Sequence, residues 1–190
     1  MPGELFEDRT FTVEDLPEGR LAPGDYQSCT FQGLDLHGQD LGGLRFMDCA
    51  FEQCDLSLCR TEKTALREVR FTGCKLLGWR WDACAPFGLE VSFTDCLMDS
   101  GVFADVALKG TVFRTSRLHG CDLSGTDLTD VVFDDCDLAD AAFEGSKLHG
   151  TDFSTAVNYR LDLDTCSVKA PRFGLEGLPG LLARYDIRIG

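Results

Sequence analysis

The sequence predicts an all-β solenoid wound as a square coil of four short faces, and three regularities predict it. From Cys121 to Phe153 a Leu or Phe returns every five residues, at Leu123, Leu128, Phe133, Leu138, Phe143, Leu148 and Phe153. Two residues before each of these centres stands a small residue, from Cys121 and Thr126 to Ser146 and Thr151. Phe returns every twenty residues, at positions 11, 31, 51 and 71 and again at 93, 113, 133, 153 and 173. A period of five is neither the two of a strand nor the 3.6 of a helix. Four such units closing one turn would set each phenylalanine on the one before it, one coil along.

The elements follow in chain order. Residues 1–25 are proline- and acid-rich, and the frame is only picked up there, at Phe6, Phe11, Leu16 and Leu21. They read as an N-terminal cap with the first irregular repeats. Residues 26–173 are the body, firm in register from Phe31 through Leu36, Leu41, Phe46 and onward to Trp81. Between Asp82 and Ser92 the frame stumbles, and it resumes two residues out of step at Phe93, so one coil carries a two-residue insertion. The expected core column is Phe31, Phe51, Phe71, Phe93, Phe113, Phe133, Phe153 and Phe173. Coils stacked at strand spacing advance about 4.8 Å each, so roughly eight of them make a rod on the order of 38 Å long.

Residues 174–190 change character. Leu175, Leu178, Leu181 and Leu182 have helical spacing, with Pro179 placed for a first turn and a short helix through about Tyr185. Ile187 and Ile189 then alternate as a brief strand. Two roles for this tail stay open: a cap on the last coil, whose unpaired backbone would otherwise invite further chains, and a two-fold contact between copies.

Composition narrows function. The 190 residues carry a formal net charge of −14, with a pI near 4.5, which argues against direct nucleic-acid binding. No run is long enough to cross a bilayer and no basic-then-apolar leader opens the sequence, so the expected compartment is the cytoplasm and no membrane partner is expected. All ten cysteines fall two residues before a centre, where a thiol serves as a compact buried group. With no CxxC pair, this reads as ten reduced thiols in a reducing compartment, without a metal site. His37, His119 and His149 each follow a Leu centre on a turn, too far apart to act together. No phosphate loop, nucleophile elbow or pocket-forming pattern appears, so neither catalysis nor a cofactor is expected.

Charge is unevenly placed. Between Leu118 and Ser146 there is no Lys or Arg, while the span holds Asp122, Asp127, Asp130, Asp134, Asp135, Asp137, Asp140 and Glu144, the candidate partner-binding surface. Arg60, Lys63, Arg67, Arg70, Lys75 and Arg80 form a basic girdle nearer the middle. Exposed acids can simply solubilise a solenoid. They can also imitate duplex DNA, which carries about one charge per ~1.7 Å, so an acidic rod of this width suits a basic DNA-binding saddle.

The units CDLSG, TDLTD, CDLAD and AAFEG resemble the pentapeptide-repeat family, and the resemblance covers nearly all of the chain. It implies a right-handed quadrilateral β-helix with a short C-terminal helix and strand. A narrower resemblance rests on Asn158-Tyr159, Val168-Lys169-Ala170, Phe173, Leu181-Leu182 and Ile187-Arg188-Ile189. These are similar to the C-terminal segment of the quinolone-resistance (Qnr-type) members. That resemblance implies a DNA-mimicking partner of a type II topoisomerase, DNA gyrase or topoisomerase IV, whose sensitivity to quinolones or related inhibitors it modulates. It also implies a homodimer joined through Leu175, Leu178, Leu181, Leu182, Tyr185, Ile187 and Ile189. The alternative reading is a protein-interaction scaffold with an unrelated partner.

Overall fold

The computed structural model describes residues 4–16, 18–185 and 187, and they form a right-handed quadrilateral β-helix of about eight turns. Every ladder in it is parallel and joins residue i to its counterpart one coil on, normally i+20, as in Phe31↔Phe51 and Phe113↔Phe133. Across the insertion the offset is two larger, as in Phe71↔Phe93. The sequence period is therefore the hydrogen-bond register itself.

The four faces are not equal. The Phe face carries a nine-stranded parallel sheet running unbroken from Thr10–Phe11 to Arg172–Phe173. The adjoining Tyr26 face has a four-stranded sheet, Glu4–Glu7, Gly24–Gln27, Arg45–Met47 and Ala65–Arg67. That sheet stops at the insertion, and pairing resumes with Ala107↔Asp127 and the strands Lys147–His149 and Ser167–Lys169. The remaining two faces, centred on Leu36 and Leu41, are joined by single bridges such as Asp35↔Asp55 and Asp40↔Arg60. Paired strands begin at Glu4, well inside the segment expected to be a cap.

The core is one column of side chains along the axis. Phenylalanine rings of the Phe face stack from Phe11 to Phe173 with centroid spacings such as 4.9 Å for Phe93–Phe113 and 5.1 Å for Phe113–Phe133. The coil with Trp79 and Trp81 fits these large rings by shrinking their neighbours. Thr61 lies one coil before Trp81 in the same column, and Gly101 one coil after Trp79, where an added Cβ would meet the Met98 carbonyl at 3.1 Å. Arg9 takes the place of a small residue in the first coil. Its guanidinium lies 4.8 Å from the Phe11 ring centroid and 5.6 Å from that of Phe6, covering the open end with a cation–π contact.

The inward small positions do more than save space. The Cys121 thiol donates to the Met98 carbonyl at 3.1 Å and Cys59 to Leu36 at 3.1 Å, one coil back. Thr126 and Thr151 make the same bond through hydroxyls, at 2.7 and 2.8 Å. Cys, Ser and Thr are interchangeable here because each is small and can donate to a carbonyl. Nine cysteines are buried and Cys166 is half-buried, all as free thiols. Burial pushes the Cys59, Cys121 and Cys136 thiols up to about 12, so they stay protonated and unreactive.

The C-terminal tail differs from expectation. Leu175–Gly177 is a 3-10 turn and the helix is only Leu178–Leu181, followed by turns rather than a helix to Tyr185. Pro179 and Gly180 occupy half of those four positions. Pro lacks the donor, Gly is costly to order, and so short a helix cannot propagate alone. Ile187 is in no strand, and Ile189 lies outside the described residues. Among the described residues no helix is long and apolar enough to cross a membrane.

A fully buried ring held between two stacked neighbours predicts a large loss on truncation. Phe113→Ala should lower unfolding stability by about 3–5 kcal/mol, read from urea denaturation followed by far-UV circular dichroism.

Candidate partner-binding surface

The square coil decides where each acid points. Asp122, Asp127, Asp134 and Asp137 flank centres and are half-buried on the four different faces. Asp130, Asp135 and Asp140 stand two residues after a centre, at three successive corners of one coil, with φ of 57°, 51° and 58°. Glu144 precedes the fourth corner of that coil, Gly145, and is exposed. The eight acids that are contiguous in sequence thus form a girdle around the rod and not one surface patch.

The acids beside the centres are tied down locally. Each accepts the amide two residues on, as Asp122 does from Ser124 at 3.0 Å and Asp137 from Ala139 at 3.2 Å, which fixes the turn into the corner. Asp134, the exception, lies after its centre and pairs with Arg114 at 2.9 Å. Asp127 receives both Lys109 at 3.3 Å and Lys147 at 3.4 Å, one from the coil before and one from the coil after. Asp137 meets His119 at 2.8 Å and the Asn158 amide at 2.8 Å. Burial works to raise both carboxyls. The Thr129 hydroxyl and amide with the two lysines hold Asp127 at about 2, and Asn158 and His119 keep Asp137 below the usual carboxylate range.

The basic girdle is offset in the same way. Arg60 pairs with Asp40 at 3.7 Å, Lys75 with Asp55 at 3.6 Å, Arg70 with Asp48 at 3.3 Å and Arg80 with Asp82 at 2.6 Å. Three of these four partners lie in the preceding coil. A stretch lacking Lys and Arg in sequence is therefore not free of them in space, because the neighbours of residue i include i−20 and i+20.

What remains outward and unpaired is a smaller set. Among the described residues no ion pair reaches Asp130, Asp135, Asp140 or Glu144. The corner between the Tyr26 and Phe faces also carries Asp8, Asp48, Glu68 and Glu90, which the register places in one row with Asp130 farther along. Sequence reasoning missed this row because its members stand one coil or more apart; reading every twentieth residue would have found it.

His149 bonds Ser167 at 3.0 Å, far from any catalytic pairing, and among the described residues no group of His, Cys, Asp and Glu is arranged to hold a metal. Beside the tail lies an open cavity of about 670 Å³, lined by Asp140, Asn158, Arg160, Glu176 and Tyr185. The tail itself seats on the last coil through its glycines. A Cβ at Gly180 would stand 1.9 Å from the Tyr159 carbonyl oxygen, and one at Gly177 2.0 Å from the Tyr159 hydroxyl. The tail leaves Leu175, Leu178, Leu182, Tyr185 and Ile187 exposed, the last three along that cavity, and Leu181 packs inward.

The fold is a repeat solenoid whose outer surface carries ordered columns of side chains. Residues 102–135 match the family model described as pentapeptide repeats (8 copies). The chain is similar in fold to two trypsin-treated variants of QnrB1, a plasmid-mediated fluoroquinolone resistance protein. The first has 16% identity, a TM-score of 0.54 and coverage of 99% of this chain and 98% of that one. The second has 17% identity, a TM-score of 0.50 and complete coverage of both chains. A comparison with curated protein sequences returns no match.

The paired Asp127 makes stability depend on pH with a definite sign. Its folded pKa lies below the unfolded value, so its contribution is present above about pH 4 and is lost as pH falls toward 2. Asp127→Asn should therefore cost about 1–2 kcal/mol at neutral pH and close to nothing near pH 2, measured by urea titration at both values.

Proposed function

We propose that this chain is a non-enzymatic DNA mimic that binds a type II topoisomerase, DNA gyrase or topoisomerase IV, and modulates its inhibition by quinolones or related compounds. The observation that carries the reading is the set of outward carboxylates, Asp130, Asp135 and Asp140 at coil corners and Glu144 beside the corner at Gly145, on a rod of strand-spaced coils. Asp122, Asp127, Asp134 and Asp137 belong to the same girdle and contribute field while holding the turns. The full-length likeness to QnrB1 in fold supports the reading, as does a net charge of −14 that draws a basic saddle from a distance. Such an association weakens as salt screens the charges.

A supercoiling assay with purified DNA gyrase, at two salt concentrations and with and without a quinolone, tests it. The protein should alter gyrase activity or its inhibition at micromolar concentration, less so at high salt. Reversing Asp130, Asp135 and Asp140 to Lys should weaken the effect by about tenfold. No effect at micromolar protein sinks the reading, and an effect that survives the reversals sinks its electrostatic mechanism. Retained folding without gyrase activity would leave the scaffold reading, which the neutralisation of so many acids by neighbouring coils favours.

The tail is proposed as both cap and dimer contact. Leu175 is 86% exposed and Tyr185 52%. Sedimentation velocity should find a dimer, and Leu175→Glu with Leu182→Glu should yield monomer with an unchanged melting temperature. A wild-type monomer across the micromolar range would defeat the proposal.

A further inference from the structure

The insertion creates a second surface, unlike the acidic corners. Ala85 donates to the Thr64 carbonyl at 2.9 Å and Glu90 to Leu66 at 3.0 Å, so the four residues between them, Pro86 to Leu89, leave the ladder. Leu89 turns back against the core, while Phe87 is thrown outward and is 96% exposed. Its ring stands at the end of a groove of about 360 Å³ along the Tyr26 face, which also exposes Leu5 and Met47. On the groove floor Arg45 Nε holds Asp25 Oδ1 at 2.7 Å, so these two charges satisfy each other. The apolar side chains beside them, Leu5, Met47 and Phe87, stay exposed.

One rim of this groove is the acidic corner. Glu7, Asp8, Asp48, Glu68 and Glu90 are all exposed along it, with φ of 53°, 50° and 54° turning Asp8, Asp48 and Glu68 out from the coil. Facing them are Arg67, which lines the groove, and Arg70, which Asp48 holds at 3.3 Å. Carboxylates outnumber cations on this side, and Leu5, Met47 and Phe87 supply the groove's exposed apolar groups.

We propose that the Phe87 groove docks a segment of a partner protein that presents a bulky apolar side chain flanked by Lys or Arg. The apolar side chain enters between Met47 and Phe87, and the cations face Glu68, Glu90 and Asp48. This docking is separate from the corner acids Asp135 and Asp140, which lie on other corners, and holds for a topoisomerase or any other partner. Anchoring by a central apolar side chain with charges at the rim is the usual division between affinity and orientation at an interface.

Fluorescence anisotropy with two fluorescein-labelled synthetic peptides tests it, one alternating Lys with Phe and Leu, the other with Glu in place of every Lys. The Lys peptide should bind and the Glu peptide should not. Phe87→Ala, at a side chain so exposed that the melting temperature should be unchanged, should weaken binding by about tenfold. Glu68→Lys with Glu90→Lys should also weaken it, and Asp135→Lys with Asp140→Lys should leave it intact. Equal binding by wild type and Phe87→Ala, or loss on reversing Asp135 and Asp140 alone, would show that charge by itself draws the peptide and would overturn the proposal. So would equal binding of the Glu peptide. None of these outcomes depends on gyrase, so failure here and failure of the topoisomerase reading are separable.

Discussion

The rest of the molecule depends on the hydrogen bonding of each coil to the next. An isolated coil would expose one row of backbone donors and acceptors upward and another downward, so it is stable only within a stack. Parallel register then makes residue i the neighbour of i+20, and every side-chain column inherits that step. Stacked phenylalanines, thiols donating to carbonyls one coil back, and Arg–Asp pairs at the same spacing are three consequences of one constraint. The ends are where it cannot be met. Arg9 covers one with its guanidinium, and Gly177 and Gly180 let the tail lie flat on Tyr159 at the other.

The same constraint admits aspartate at defined positions of every coil. Four corners per coil each require a residue in the left-handed region, a conformation that Gly adopts freely and Asp or Asn tolerate through local hydrogen bonds. Asp130, Asp135 and Asp140 fill three consecutive corners in this way. A second set, exemplified by Asp122 and Asp152, lies just before a centre and accepts the amide beyond it. Aspartate is thus favoured twice by the fold. Some corner charges go beyond what the turn itself favours. Glu68 at a left-handed corner is such a case, since Gly would serve the turn better.

Fold and core were legible in the sequence because both follow from periods of five and twenty, and a period survives without knowledge of distance. The phenylalanine column, the place of the insertion and the inward cysteines all belong to that class. The candidate site was less legible. Lack of Lys and Arg between Leu118 and Ser146 suggested one acidic patch, yet Asp127 sits between Lys109 and Lys147, and the eight acids face every direction. Linear charge runs mislead in a solenoid because most neighbours come from other coils. The tail was misread for a different reason: its leucine spacing fits a helix, but Pro179 and Gly180 limit it to Leu178–Leu181.

The insertion shows where this fold can yield. The Phe face keeps its register straight through it, with Val69↔Val91 and Phe71↔Phe93 paired in full, because a break there would interrupt the ring stack. The Tyr26 face takes the excess instead. Its column runs Phe6, Tyr26, Phe46 and Leu66, and the next position in phase falls on Gly88, which has no side chain to contribute. Pro86 removes a donor from the same stretch, and Leu89 supplies the missing apolar group from one residue farther on. Once the centre is filled by Leu89, Phe87 is not needed by the core. A large aromatic ring held at 96% exposure costs apolar hydration without any return in packing, a cost of about 1.5–3 kcal/mol relative to burial. The fold supplies no reason for that ring, and the docking proposed for the Phe87 groove would supply one.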